Sequence, residues 1–137
     1  MAIRKVFLDT SGLFALFCKT DAYHSSAIRI IADKAGLFTT TDAVVGETCT
    51  LFISRGRRHL SSELFRLLET TKTIELVYVD SERFWRTRDF LLKHLDQDFS
   101  FVDCASFVVM RELQLSDALT SDTHFRAVGY RPLLVPG

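Results

Sequence analysis

The stretch Val6-Phe7-Leu8-Asp9-Thr10-Ser11-Gly12 places an acid directly after a short apolar run. Three consecutive apolar residues predict a strand that is buried on both faces, as in the centre of a parallel sheet. Thr10 or Ser11 can cap a following helix, Leu13–Cys18. Asp9 would then lie at the carboxyl end of the strand, where open α/β sheets bind their ligands.

Short apolar segments alternate with helical patterns along the rest of the chain. Further strands are predicted at Leu37–Thr40, Ile74–Val79, Ala118–Thr120 and Pro132–Val135. Helices are predicted at Ala22–Lys34, Val44–Phe52, Leu60–Thr71, Ser81–Leu95, Phe101–Leu113 and Thr123–Val128, the fourth of them burying Phe84, Phe90, Leu91 and Leu95. This alternation favours a mainly parallel sheet covered by helices. Because no Pro/Gly-rich linker or repeat interrupts it, residues 1–137 are expected to form a single domain.

Composition argues for an ordinary cytoplasmic protein. The chain has 17 basic and 17 acidic residues, so binding to a polyanion would depend on local patches. No run approaches the roughly 20 apolar residues that span a bilayer, and the apolar N-terminal stretch is too short for a signal peptide. Cys18, Cys49 and Cys104 form no metal or redox motif, which suits free thiols in a reducing compartment.

Four acids stand at positions where chemistry is plausible, and each has an ordinary alternative. Asp9 and Asp122 follow predicted strands but could equally cap helices or turns. Glu47 lies at the edge of an apolar helix face and could be solvated. Asp103 lies in a nearly all-apolar helix, where a buried carboxylate needs a partner, yet Ser100-x-x-Asp103 also fits a capping box. Position alone leaves these alternatives open.

The segments that carry these acids, taken together, resemble the PIN-domain family. The matching segments, in order and approximate spacing, are Phe7-Leu8-Asp9-Thr10-Ser11, Glu47-Thr48, Phe101-Val102-Asp103-Cys104-Ala105-Ser106-Phe107 and Leu119-Thr120-Ser121-Asp122-Thr123-His124-Phe125. The ending Asp122-x-His124-Phe125, followed by Gly129-Tyr130, is typical of VapC-type toxins. The resemblance covers Val6 to Val135 and implies a PIN-like three-layer α/β sandwich, with a mainly parallel central sheet flanked by helices.

The resemblance also implies a function and a set of site residues. It implies an endoribonuclease that depends on a divalent metal ion, with Asp9, Glu47, Asp103 and Asp122 as the catalytic and metal-binding residues. Thr10, Ser11, Thr120 and Ser121 would support them. All-oxygen ligation suits Mg²⁺ or Mn²⁺, and metal-assisted hydrolysis needs no nucleophilic Ser or Cys. The likeness to VapC further implies a toxin that pairs with a small protein antitoxin and forms a homodimer.

Two other functions fit the same resemblance. The chain could be a PIN nuclease of RNA processing without an antitoxin, or a non-catalytic PIN-like module that binds RNA or protein. The presence of all four acids argues against the module, because a degenerate site would be expected to lose at least one. A small upstream reading frame for a partner would favour the toxin over the processing enzyme.

Contacts to RNA would come from basic clusters. Arg55, Arg57 and Arg58 are candidate RNA-binding residues, although each cluster could be no more than a solvated face. A second cluster comprises Arg83, Arg86 and Arg88. Trp85 could stack on a base or pack internally. His124 is expected to be structural, and Asp98 and Asp117 are secondary acids near the predicted site.

Overall fold

A computed structural model describes residues 5–33 and 36–136, so the predicted helix end at Lys34 lies outside the described residues. The described chain forms strands β1 (Lys5–Leu8), β2 (Leu37–Thr41), β3 (Ile74–Val77), β4 (Asp117–Leu119) and β5 (Arg131–Pro132). Its helices are α1 (Thr10–Phe17), α2 (His24–Asp33), α3 (Asp42–Ser54), α4 (Leu60–Thr70), α5 (Ser81–Lys93), α6 (Phe101–Glu112) and α7 (His124–Ala127). The predicted alternation of strands and helices is confirmed.

The five strands form one sheet in the order β3-β2-β1-β4-β5. Every pairing is parallel, and Phe7 of the central strand β1 is in register with Thr39 on one side and Ala118 on the other. From β1 the chain first adds β2 and β3 on one side of this strand, and later adds β4 and β5 on its other side. The β1–β4 border is therefore the topological switch point, beside which such sheets place their ligands.

Strand β1 is buried on both faces, as its continuous apolar run predicts. Val6, Phe7 and Leu8 have no exposed surface. Because successive side chains of a strand point to opposite faces, both faces of the sheet must be covered at this point. The sequence prediction of an α/β sandwich with a parallel central sheet is confirmed.

Helix α1 begins earlier than its sequence predicts. Its N-cap residue is Asp9, so the prediction that Thr10 or Ser11 caps the helix is wrong. Both hydroxyl side chains lie in the first turn and bind other elements, Thr10 to Glu47 and Ser11 to Thr120. Because these hydroxyl groups bind neighbouring segments, they do not cap the first turn of the helix.

Gly12 sets the distance between α1 and the end of β4. A Cβ atom at this position would lie 2.0 Å from the carbonyl oxygen of Leu119, far inside van der Waals contact. Only a residue without a side chain allows this approach. The approach brings the start of α1 against the segment that follows β4.

The remaining differences from the predictions are local. Phe84 and Leu95 of the α5 region are exposed, whereas Thr87, which was not predicted to be buried, lies fully inside. β5 is shorter than predicted, although the N–H groups of Leu133 and Leu134 still donate to carbonyls of Ala118 and Thr120.

The state of the cysteines agrees with the sequence expectation. The three cysteines are free thiols: Cys18 and Cys104 are buried, and Cys49 is half-buried. Within the described ranges, no helix has both the length and the apolar character needed to cross a membrane.

Gly12→Ala should destabilise the protein by about 3 kcal/mol, because the new methyl group would push α1 away from the backbone of β4. Gly46→Ala is the matched control, since a Cβ atom there meets nothing within 4 Å. Alanine is the better helix former, so this control should gain about 0.5–1 kcal/mol. Chemical denaturation of both variants measures the effect, and equal stability of Gly12→Ala and the wild type would contradict the close approach.

Candidate active site

A buried hydrogen bond joins the ends of β1 and β4. Asp9, which follows β1, is 4% exposed, and Thr120, which follows β4, is fully buried. The Thr120 hydroxyl donates to Asp9 Oδ2 over 2.8 Å. The backbone N–H of Asp9 also donates to the carbonyl of Leu119 over 3.3 Å. The carboxylate of Asp9 therefore has a fixed position at the switch point.

Hydroxyl groups also hold the segment after β4. Ser11 Oγ lies 3.1 Å from Thr120 Oγ1 and accepts the N–H of Ser121 over 3.0 Å. Thr120 Oγ1 accepts the N–H of Asp122, also over 3.0 Å. Ser11 and Thr120 thus order the backbone that carries Asp122.

Asp103 occupies the first turn of α6 and has two roles. It forms a complete capping box, in which Ser100 Oγ accepts the N–H of Asp103 and Asp103 Oδ2 accepts the N–H of Ser100, each over 3.0 Å. The same Oδ2 atom lies 3.2 Å from Nδ1 of His124. The capping geometry therefore holds a buried carboxylate so that it faces the site, and the two interpretations left open by the sequence are compatible.

Asp122 and His124 complete this side of the site. Asp122 Oδ1 accepts the backbone N–H of His124 over 2.9 Å and lies 3.2 Å from its Nδ1. Donor atoms of Asp103, Asp122 and His124 all lie within 4.8 Å of one another. The histidine spacings of the sequence gave no sign of this cluster, because the neighbouring acid Asp103 lies 21 residues earlier.

The carboxyl group of Asp9 has a strongly raised pKa. Burial raises the pKa of its carboxyl group from 3.8 to about 7, and the nearby charges of Asp103 and Asp122 act in the same direction. Hydrogen bonds from the Thr120 hydroxyl and the Thr10 backbone act in the opposite direction but do not cancel the increase. These carboxylates offer oxygen ligands of the kind that divalent cations prefer. A bound cation would also relieve their mutual repulsion and the cost of burying the charge of Asp9.

Glu47 reaches the site through another residue. It is half-buried on α3, and its Oε1 accepts the hydroxyl of Thr10, the residue after Asp9, over 2.6 Å. Across the described ranges, the group of donors close enough to share one metal ion comprises Asp103, Asp122 and His124. Neither Glu47 nor Asp9 is therefore among these three donors, and the contact of Glu47 is with Thr10.

The secondary acids, Asp98 and Asp117, are outside the group of donors that could share one metal ion. Asp117 is buried in β4 and accepts two hydrogen bonds from Arg131 of β5, each 2.9 Å long, which ties the two strands together. Asp98 is exposed in the loop before α6. Neither belongs to the group of donors that includes Asp103.

The two basic clusters differ in how many of their arginines already have partners within the protein. Arg83 and Arg86 both bind Glu112 of α6, so they have intramolecular partners. Arg88 lies over the ring of Trp85, 4.8 Å from its centre, and Trp85 is half exposed rather than buried. The cluster of Arg55, Arg57 and Arg58 is exposed on the connection between α3 and α4.

The family model of the PIN domain matches residues 6–130, and the chain belongs to the PIN-domain family. A curated relative, the 23S rRNA-specific endonuclease VapC20 of Mycobacterium tuberculosis, is 36% identical over 127 residues. The match covers 91% of this chain and 95% of that protein. The resemblance to VapC-type PIN proteins is confirmed.

Solved structures agree. The crystal structure of Mycobacterium tuberculosis VapC20, described as a Sarcin-Ricin loop cleaving toxin, superposes with a TM-score of 0.87 and 28% identity, covering 95% of this chain and 99% of that one. VapBC2 from Rickettsia felis, bound to a DNA fragment from its promoter, gives a TM-score of 0.65 at 9% identity, covering 93% of this chain and 96% of that one. This second likeness shows the fold alone.

The raised pKa of Asp9 predicts a pH-dependent effect of Asp9→Asn on the metal-free protein. The unfolded chain loses this proton near pH 3.8 and the folded chain only near pH 7, so the wild type loses stability as pH rises between these values. One pKa unit corresponds to about 1.4 kcal/mol, so Asp9→Asn should gain up to about 4 kcal/mol relative to the wild type between pH 4 and pH 7.5.

Urea denaturation at both pH values, with EDTA present, measures this gain. Asp98→Asn removes an exposed carboxylate and is the control, with an expected effect below about 0.5 kcal/mol. If Asp9→Asn changed stability equally at both pH values, the buried carboxyl group would not have the raised pKa.

Proposed function

We propose that this protein is an endoribonuclease that depends on Mg²⁺ or Mn²⁺ and hydrolyses RNA phosphodiester bonds. The observation that carries the proposal is the buried carboxylate of Asp9 at the β1–β4 switch point, whose pKa is raised by burial and by the charges of Asp103 and Asp122. The 36% identity to an rRNA endonuclease over nearly the whole chain supports it.

We assign metal binding and catalysis to Asp9, Glu47, Asp103 and Asp122. When bound, the cation would supply Lewis-acid activation of a water molecule and of the phosphate. In the reaction, water adds to phosphorus and the bond to the 3′ oxygen breaks, leaving a 3′-hydroxyl and a 5′-phosphate.

The supporting residues hold these carboxylates in place, so that little rearrangement is needed during the reaction. Thr120 orients Asp9, and Thr10 orients Glu47 through its hydroxyl. Ser11 and Ser121 order the segment that carries Asp122. The capping box does the same for Asp103.

We propose 23S rRNA, and within it the sarcin–ricin loop, as the substrate. The proposal rests on the relative's activity against 23S rRNA and on the similarity to the structure described as a Sarcin-Ricin loop cleaving toxin. The match spans both chains almost completely, so the whole relative is comparable with this chain.

Purified ribosomes incubated with the protein and Mg²⁺ or Mn²⁺ should show one new 5′ end in 23S rRNA by primer extension. EDTA should abolish the cut, and Asp9→Asn or Asp103→Asn should slow it by at least roughly a hundredfold. Asp98→Asn, on the exposed loop, is the control and should cleave normally. Cleavage that is independent of metal, or full activity in both site variants, would contradict the proposal.

We propose that Arg55, Arg57 and Arg58 bind phosphates of the RNA. They lie close together on an exposed connection: Arg55 is over the ring of Phe14, and Arg57 donates to the hydroxyl of Thr20. Such contacts release counterions from the nucleic acid, which makes binding sensitive to salt.

Arg58→Ala, made in the inactive Asp103→Asn protein, should weaken RNA binding and reduce the slope of log K against log salt by about 1. Fluorescence anisotropy with a labelled RNA oligonucleotide at several salt concentrations measures both. Arg29→Ala, on the exposed face of α2, is the control. An unchanged slope in Arg58→Ala would remove Arg58 from the RNA-binding surface.

We propose that the protein is a cytoplasmic toxin whose partners are a small protein antitoxin, which would cover the acidic site, and a second copy of the chain. Its resemblance to VapC toxins supports both partners. The exposed Trp85 and Leu92, seven residues apart on α5, support a protein contact because they lie on one face of the helix. Light scattering of the purified protein, with and without a co-expressed upstream partner, tests both assemblies.

A further inference from the structure

His124 stands between two carboxylates that belong to different segments. Its Nδ1 atom lies 3.2 Å from Asp103 Oδ2 on α6 and 3.2 Å from Asp122 Oδ1 in the loop before α7. One ring nitrogen therefore lies within 3.2 Å of two carboxylate oxygens, and its hydrogen-bond geometry is with that of Asp103. The assigned acids account for the oxygens, but the nitrogen has no role in the function proposed above.

The three donors are held in place without a ligand. The capping box fixes Asp103, and the backbone N–H of His124 fixes Asp122. The ring of Phe99 meets the imidazole edge to face, with centroids 5.4 Å apart and planes at 76°. Since the side chain of His124 is only one-third exposed, its orientation is restricted on several sides.

The spacing of the donors matches the coordination shell of a first-row cation. With bonds of about 2.1 Å, donors at right angles around one ion lie about 3 Å apart, and opposite donors about 4.2 Å apart. The two nitrogen–oxygen distances are both 3.2 Å, and all three donor atoms lie within 4.8 Å of one another. A small inward adjustment would make all three simultaneous ligands.

We propose that His124 Nδ1 is a metal ligand, together with Asp103 and Asp122, and that it makes the site select Mn²⁺ over Mg²⁺. The inference rests on the proposed function and adds a nitrogen ligand to its all-oxygen set. Imidazole suits transition metals, whereas Mg²⁺ prefers oxygen. Ligation uses the lone pair of Nδ1, so the ring carries its proton on Nε2.

The nitrogen can be detected directly. Mn²⁺ alone is added to the purified wild-type protein, and pulsed electron paramagnetic resonance records the ¹⁴N modulation that a directly bound imidazole produces. We expect this modulation in the wild type and in His59→Gln, whose exposed histidine lies before α4. We expect it to be absent in His124→Gln. The wild-type spectrum tests the proposal even if His124→Gln folds poorly.

Affinity provides the second measurement. His124→Gln should weaken Mn²⁺ binding by roughly tenfold or more, whereas Mg²⁺ binding, measured by competition, should change by less than about threefold. Circular dichroism and thermal melting check that the variant is folded, and His124→Ala provides a second substitution.

Three outcomes would overturn the proposal: bound Mn²⁺ without ¹⁴N modulation in the wild type, modulation that persists in folded His124→Gln, or equal losses of Mn²⁺ and Mg²⁺ affinity. In those cases His124 only donates a hydrogen bond that positions the two acids. Cleavage of rRNA by a protein without ¹⁴N coupling would contradict this inference alone. Nitrogen-bound Mn²⁺ in a protein that leaves RNA intact would contradict only the proposed function.

Discussion

The hydrogen bond from the Thr120 hydroxyl to Asp9 Oδ2 is the contact on which the rest of the site depends. It joins the ends of two neighbouring parallel strands, and Gly12 lets α1 pack closely against the backbone of Leu119 beside it. Once these strand ends are joined, Ser11 and Thr120 can order the segment that carries Asp122. A contact between residues that are 111 positions apart in the sequence thus fixes the backbone near Asp9 and near Thr120.

Burying an ionised carboxylate near other acids lowers the stability of the fold. The pKa of Asp9 is raised to about 7 for this reason. Packing elsewhere offsets this cost: β1 is buried on both faces, and the rings of Phe107 in α6 and Phe125 in α7 pack with centroids 5.0 Å apart. Carboxylates that the core holds together against their repulsion would be stabilised by a bound cation, as the proposed function requires. Stability elsewhere is what permits the strained cluster.

Helix capping and catalysis were competing explanations for the acids, and the structure shows why they were hard to separate. A capping box fixes both the backbone and the rotamer of Asp103. A metal-binding carboxylate would need the same immobility, so the capping box is compatible with the metal-binding role proposed for Asp103. Asp117 is the contrasting case, because its two hydrogen bonds from Arg131 satisfy it within the sheet.

From local apolar periodicity alone, the sequence predicted the order of strands and helices, the burial of β1 and the acids at the ends of strands. It misplaced the cap of α1 and predicted Phe84 to be buried, since those outcomes depend on which neighbouring elements supply partners. The position of His124 between Asp103 and Asp122 could not be read from the sequence, because it depends on how distant segments pack. That juxtaposition arises from the packing of α6 against α7, which no spacing along the chain encodes.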